Sequence, residues 1–350
     1  MELYILFFLI LLFLALTSIL AINLDNTCYI ISSFVAMIFI GGRFNVGADF
    51  TEYDYIYNNV EKINFDFAFE FFFQLFRGIG FSYGLASFSF FLITLILLSI
   101  SINSYKYKTI TLFFFILYFI IPITSTIRQG LSLPFYLLAI NHLFSFKKYM
   151  FFSITGALFH ISNLIMVPFY FLKNLKLNKK KIISLLLFSF LLGQYEIINL
   201  VISTFEYFLS FGSSSANKIL TYSTRYNEPM SYISQLYRTG GILFIFIFCL
   251  DLNKNEKLNF CQNIYFITFC LTLVFKDNGV LINRLSFSTN ISLLYIAANF
   301  NIINKNKMVK NLILAFFLSY FSVNYFKFIS TDLRYNVESA YLPYRNFFFE

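Results

Sequence analysis

The chain of 350 residues is 59% hydrophobic and 12% charged, with 52 Phe, 25 Tyr and no Trp. So few charges cannot cover a water-soluble surface of this size, which excludes a soluble enzyme or binding module. A net charge of +9 would suggest nucleic acid in a soluble protein, but the lysines fall in short loops between apolar runs, the pattern that orients a membrane protein, and a nucleic-acid partner is excluded.

Apolar runs recur at about the 20-residue length that crosses a hydrocarbon core as a helix. They cover roughly 3–22, 27–42, 83–103, 109–123, 128–146, 149–172, 182–202, 232–250, 260–275, 281–300 and 309–326. The expected fold is an all-α polytopic integral membrane protein, one domain over 1–350, with about 10–11 transmembrane or re-entrant helical segments. External loops at 43–82 and 203–231 are expected to form the site, and 327–350 is expected as an external tail. The first run, Leu3 to Ile22, lacks a basic flank and a small-residue cleavage site, so it is expected to stay as the first helix. Cys28, Cys249, Cys261 and Cys270 show no paired metal or redox spacing and read as core filler.

Lys106 and Lys108, Lys147 and Lys148, Lys173 through Lys181, Lys254 and Lys257, and Lys305 through Lys310 mark the cytoplasmic side. The segment 149–172 has lysines at both ends, so one full crossing would place one cluster outside. A segment that enters and returns, bent around His160-Ile161-Ser162-Asn163, removes the conflict, and Lys147 and Lys176 then share a side. A full span with the charge rule locally broken is the alternative. With the bend, every arginine falls on the outer side: Arg43, Arg77, Arg128, Arg225, Arg238, Arg284, Arg334 and Arg345. Arginine's planar fork grips phosphate or carboxylate bidentately, whereas lysine is a point charge, so the outer face is expected to bind anions.

In chain order, Gly41-Gly42-Arg43-Phe44-Asn45-Val46-Gly47-Ala48-Asp49 closes the second span. If a helix starts at Asp49, then Asp49, Tyr53 and Tyr57 share one face, a carboxylate-headed aromatic surface suited to a sugar or, more blandly, to anchoring in headgroups. Glu52 and Asp54 could hold a divalent cation only if that stretch is not helical, because residues two apart on a helix point to different sides. Glu70 and Arg77 sit in an amphipathic piece, Phe65 to Phe81, where a structural ion pair competes with a role at the site.

Arg128, in Ser125-Thr126-Ile127-Arg128-Gln129-Gly130, opens a long apolar run just after a break at Pro122. An arginine at the lip of a span is costly, and its natural partner is an anion. His160 lies near the middle of its apolar segment beside Ser162 and Asn163, placed either to move a proton or to stay neutral and hydrogen-bonded within the bundle. His142 is interfacial. Arg225 and Arg238 are weaker anion candidates that could equally meet lipid headgroups, and Arg284 could pair with Asp277. There is no Gly-rich phosphate loop, no His/Cys metal set and no nucleophile elbow, so neither metal nor cofactor is expected.

Three stretches resemble the EpsG/Wzy-type polysaccharide polymerases: Arg43-x-x-Val46-Gly47-x-Asp49-x-x-x-Tyr53, Ile127-Arg128-Gln129-Gly130-Leu131, and Gly156-Ala157-Leu158-Phe159-His160-Ile161-Ser162. Their order and spacing agree with that family over most of the chain. Ala48 stands where Thr or Ser is expected and Leu131 where Ala is usual. The resemblance implies metal-independent glycosyl transfer on undecaprenyl diphosphate-linked oligosaccharides at the outer face of a bacterial cytoplasmic membrane. A flippase and a chain-length regulator would then be partners, beside membrane lipids. His160, Asp49 and Arg128 would be catalytic, with His160 or Asp49 as base, and Arg43, Tyr53, Glu70, Gln129, Arg225 and Arg284 would bind substrate. The alternatives are a cation-dependent transferase using a lipid-phosphate sugar and a flippase for lipid-linked oligosaccharide. The absence of internal halves weighs against the flippase.

Overall fold

The computed structural model describes residues 1–59, 65–194, 241, 255–276, 282, 286–303, 306–331 and 341–348. The described residues form helices and turns without a strand, apart from one isolated bridge between Arg43 and Asn346. Among them, four helical stretches are long and apolar enough to cross a membrane: Glu2–Leu20, Ile22–Gly41, Tyr83–Ile102 and Lys307–Lys327. The first is apolar on every side and presents Leu6, Leu9 and Phe13 outward, as a lipid-facing helix does. The protein is all-α and polytopic.

Two compact units emerge, Met1–Val167 with Leu294–Glu350, and Pro168–Leu293. The first holds α1 (Glu2–Leu20), α2 (Asp25–Ala36, extended by a π-helical turn to Gly41), α3 (Phe50–Asn59), α4 (Phe67–Gly78), α5 (Tyr83–Ile102), α6 (Lys108–Tyr118), α7 (Ile120–Thr124), α8 (Ile127–Asn141) and α9 (Phe146–Phe159). One end of this unit is fixed by Asp25, whose carboxylate accepts the N–H groups of Lys108 and Thr109 at 2.9 and 3.1 Å and so caps α6 from another helix.

The run expected as one span at 109–123 is two helices. The break falls at Phe119, with φ −108° and ψ 26°, rather than at Pro122, which is the third residue of α7, where a missing N–H breaks no intrahelical bond. The chain then turns at Ser125 and Thr126, and α8 runs back against α7. Gly130 makes that return possible: a Cβ there would lie 2.5 Å from the Pro122 carbonyl oxygen and 3.0 Å from its carbon. Gly130→Ala should therefore prise α7 from α8 at about 1–3 kcal/mol. The expected result is a lower melting temperature in detergent and less folded protein in the membrane.

The segment after α9 bends where the lysine pattern placed the bend. His160 leaves the helix with φ −155° and ψ 119°, a 3-10 stretch covers Ile161–Ile165, and α10 (Met166–Phe169) follows. The Tyr149 hydroxyl donates to the Met166 carbonyl at 2.8 Å across 17 residues. A continuous helix would separate those residues by roughly 25 Å, so the chain folds back on itself.

Helices α3 and α4 close over the ends of α5, α8 and α9. Phe50, Tyr53 and Tyr57 of α3 and Phe69 and Phe73 of α4 share one core with Tyr83, Phe90, Leu131, Phe135 and Phe159. At the far end of the chain α15 (Lys307–Thr331) runs past the expected end of its span at 326, and the segment 341–348 packs onto the turn after α2. α13 (Ile291–Ala298) and α14 (Phe300–Ile303) precede it.

Within the second unit, α11 (Lys179–Gln194) packs on α12 (Glu256–Val274) around Ile182, Phe266 and Cys270. Asn259 and Asn263 of α12 both donate to the Leu175 carbonyl, at 3.1 and 2.7 Å. Cys28, Cys261 and Cys270 are buried free thiols, in keeping with core filler, while Cys249 lies outside the described residues.

Candidate functional site

The loop after α2 and the turn before α8 pack directly on each other. Arg43 sits at the joint. Its Nη1 donates to the Ile40 carbonyl at 2.6 Å and its Nη2 to the Thr124 carbonyl at 2.9 Å, and the side chain is 1% exposed. Gly47, at φ 108°, lies so close to the Thr124 carbonyl that a Cβ would meet it at 2.5 Å. The Ser125 hydroxyl accepts the Ala48 N–H at 3.0 Å and pairs with the Tyr341 hydroxyl at 2.8 Å. Only the backbone of residue 48 is used, which is why alanine serves where a hydroxyl residue is expected.

The C-terminal segment completes this frame. Phe44 N–H donates to the Arg345 carbonyl at 3.0 Å, Phe347 N–H to the Gly42 carbonyl at 2.7 Å, and the Asn346 amide to the Ile38 carbonyl at 2.9 Å. Sequence reasoning placed residues 327–350 as an external tail and missed their part here, since nothing in a Tyr/Asn-rich tail marks its target carbonyls.

Arg43, expected to bind an anion, lies here as a buried clamp. Burial costs a guanidinium heavily unless its donors are used, and here backbone carbonyls take Nη1 and Nη2 while Nε is buried without a hydrogen bond to a described residue. Removing it would leave a cavity and unpaired carbonyls at the joint. Arg43→Ala should therefore reduce folded protein in the membrane strongly, measured as the yield of detergent-extracted protein that elutes as a single folded species.

Arg128 stands one turn further on, in the first turn of α8, and it is open. Its Nε donates to the Tyr53 hydroxyl at 3.0 Å, its Nη1 to Asp66 Oδ2 at 2.9 Å, and the Phe65 ring lies 4.8 Å from its guanidinium carbon. Nη2 has no hydrogen bond to a described residue, and the side chain is 27% exposed. Burial pushes the Tyr53 phenol up, and neighbouring Arg128 only partly offsets that, while Asp49 and Glu52 add to the rise. Tyr53 therefore stays neutral and keeps a lone pair for Nε–H.

Asp66 links this arginine to the bend. Its Oδ1 accepts the Ile161 N–H at 3.2 Å, beside His160. His160 is 8% exposed and its Nδ1 accepts the Ser162 N–H at 3.2 Å. In a neutral ring one nitrogen carries the proton, so Nε2 is the donor in this arrangement. Gln129, 1% exposed, reaches the Ser162 hydroxyl at 3.5 Å from the other side. Gly156 lets α9 approach closely here: its missing Cβ would touch the Asn163 amide nitrogen at 3.0 Å and the Phe135 Cβ at 3.1 Å. The three short motifs thus converge on one place.

Other expectations fare differently. Tyr53 and Tyr57 do share a face of α3, but that face is sealed by Phe69, Phe73 and Tyr83, and the Tyr57 hydroxyl donates to the Phe81 carbonyl at 3.1 Å, so no open sugar platform exists there. The Tyr57 phenol is pushed up to about 12, first by burial. Asp49, half-buried, precedes α3, and its carbonyl accepts the Tyr53 N–H at 3.0 Å. Glu70 accepts the amide of Gln74 on its own helix at 3.0 Å and does not reach Arg128. Glu52 and Asp54 lie within helical α3 and so diverge, and Asp54 accepts the Asn58 amide at 3.0 Å. Arg225, Arg238, Arg284, Arg334 and Asp277 lie outside the described residues.

Asp66 and Phe65 were missed as functional candidates. Both fall inside the piece expected as amphipathic, Phe65 to Phe81, and local pattern does not report that Asp66 pairs with Arg128 and Ile161, 62 and 95 residues away.

A profile of the EpsG family matches residues 26–346. No curated protein and no solved structure matches the chain. The matched span includes all three motifs and residues 341–346 of the C-terminal segment that frames them.

Proposed function

Because the chain belongs to the EpsG family over residues 26–346, which associates it with a polysaccharide polymerase-like role in the membrane, we propose that it joins lipid-linked oligosaccharide repeat units into a surface glycan. The substrate is an oligosaccharide on undecaprenyl diphosphate, and the site faces the outer side of a bacterial cytoplasmic membrane that the chain crosses several times. A flippase would deliver the units and a chain-length regulator would limit the product.

One observation carries this reading: Arg128 is held by Tyr53 and Asp66 at the start of α8, and its Nη2 has no hydrogen bond to a described residue. A helix N-terminus and a guanidinium together favour phosphate. In the reaction, a hydroxyl of one repeat unit attacks the anomeric carbon of the glycan on the other lipid, and the bond from that carbon to the diphosphate breaks. Negative charge grows on the departing diphosphate, where Arg128 stabilises it. The hydroxyl's proton goes to a carboxylate. Asp49 takes that part, because the His160 Nε2 already carries a proton and is suited to donate towards a phosphate or sugar oxygen.

The divergence of Glu52 and Asp54 favours chemistry without a divalent cation. Membranes containing the protein, supplied with diphosphate-linked repeat units and excess EDTA, should yield a ladder of lengthened glycans still attached to lipid. A ladder that appears only on adding magnesium or manganese would support the lipid-phosphate sugar transferase instead. Units that cross the bilayer without lengthening would support a flippase.

A further inference from the structure

Asp66 occupies an unusual position for a capping residue. It precedes α4 with the extended backbone of an N-cap, φ −67° and ψ 138°, yet its side chain accepts no hydrogen bond from α4. Both oxygens are used elsewhere, Oδ2 on Arg128 across 62 residues and Oδ1 on the Ile161 N–H across 95. An aspartate at this place ordinarily gains stability by capping its own helix. Here that gain is given up for an ion pair that occupies the Nη1 of Arg128, on the guanidinium proposed to meet the substrate's phosphate.

We propose that Asp66 is a positioning residue that acts as a place-holding counter-ion. It keeps the Arg128 fork aimed and the His160 bend docked while the site is empty, and it yields Nη1 when a diphosphate arrives. This inference rests on the proposed role of Arg128 in binding phosphate and adds a tuning element to it.

The geometry suits exchange rather than permanent locking. The two side chains are 27% and 16% exposed, so water can reach the pair, and a partly hydrated ion pair is weak enough for a dianionic phosphate to displace. Phe65, stacked on the same guanidinium, holds it in place when the carboxylate leaves. Tyr53 continues to hold Nε throughout. The Ile161 N–H keeps Asp66 nearby through its other oxygen, so the carboxylate can return once the product departs. The consequence is a site that binds diphosphate more weakly than its arginine alone would, which favours product release.

The test uses full-length protein in detergent with inorganic pyrophosphate as the probe, titrated by calorimetry. Asp66→Asn retains an acceptor for Ile161 but removes the competing charge, and it should bind pyrophosphate about tenfold more tightly than the native protein. Asp66→Glu keeps the charge and should bind no more tightly than the native protein. Arg128→Ala should abolish binding in either background. If Arg128→Ala binds pyrophosphate normally, the phosphate role of Arg128 fails and this inference with it. If Arg128→Ala loses binding while Asp66→Asn binds as the native protein does or more weakly, the counter-ion inference alone fails. Should Asp66→Asn not fold, Asp66→Ser, whose hydroxyl is free to cap α4, replaces it with the same expected tightening.

Discussion

Arg128→Lys should fail almost as badly as Arg128→Ala, each leaving cells with unextended single repeat units at matched membrane abundance. Lysine keeps the charge and the length but not the fork. In the native site three directions of one planar group are spoken for: Nε by Tyr53, Nη1 by Asp66, and Nη2 by the proposed ligand. An ammonium can satisfy one of these well, and Asp66 is the nearest anion, so the substituted lysine would turn to the carboxylate and away from the substrate. Loss of an electrostatic donor to a leaving group costs on the order of a hundredfold or more in rate. If Arg128 only anchored its helix among headgroups, lysine would snorkel to the same depth and make full-length polymer. Glycan length resolved on a gel separates these outcomes.

The second large effect concerns His160, where the tautomer decides the outcome. With Nδ1 accepting the Ser162 N–H, the imidazole offers Nε2–H to the site and acts as a donor. Glutamine can place an amide N–H near the Nε2 position. His160→Gln should therefore keep activity within about tenfold, whereas His160→Ala should lose about a hundredfold or more, in the range removed with a positioned proton-transfer group. Asp49→Asn, which removes the proposed proton acceptor, should be as damaging as His160→Ala. Were His160 the base, glutamine would be as inactive as alanine and Asp49→Asn would be mild. Initial rates of glycan extension in membranes, normalised to folded protein, read all three variants.

Much of this arrangement is legible without coordinates. Hydrophobic run length finds α1 and α5 to within about two residues because a lone apolar helix has no other way to satisfy its backbone in lipid. The bend at His160 falls in the stretch His160-Ile161-Ser162-Asn163 where a turn was expected, an expectation motivated by lysines at both ends of 149–172, since charge orientation favours an even number of crossings between clusters on one side. The break at Phe119 is not legible, because a helix can end wherever tertiary packing supplies better contacts, and here α7 must fold back so that Gly130 can meet Pro122. Arg43 and Arg128 read alike in the sequence, both arginines at span ends. What separates them is depth: one is walled in by carbonyls and the C-terminal segment, the other opens beside Asp66. Burial of that kind depends on residues far away in the chain, which local pattern does not report.

The central claim is that the group leaving under Arg128 is a lipid diphosphate, and the most direct measurement is the identity of that group. Purified full-length protein in liposomes, given repeat units on a radiolabelled polyprenyl diphosphate, should release one lipid diphosphate for each new glycosidic bond, and Arg128→Ala should release almost none. Release of lipid monophosphate, or bond formation by Arg128→Ala at the native rate, would contradict the account.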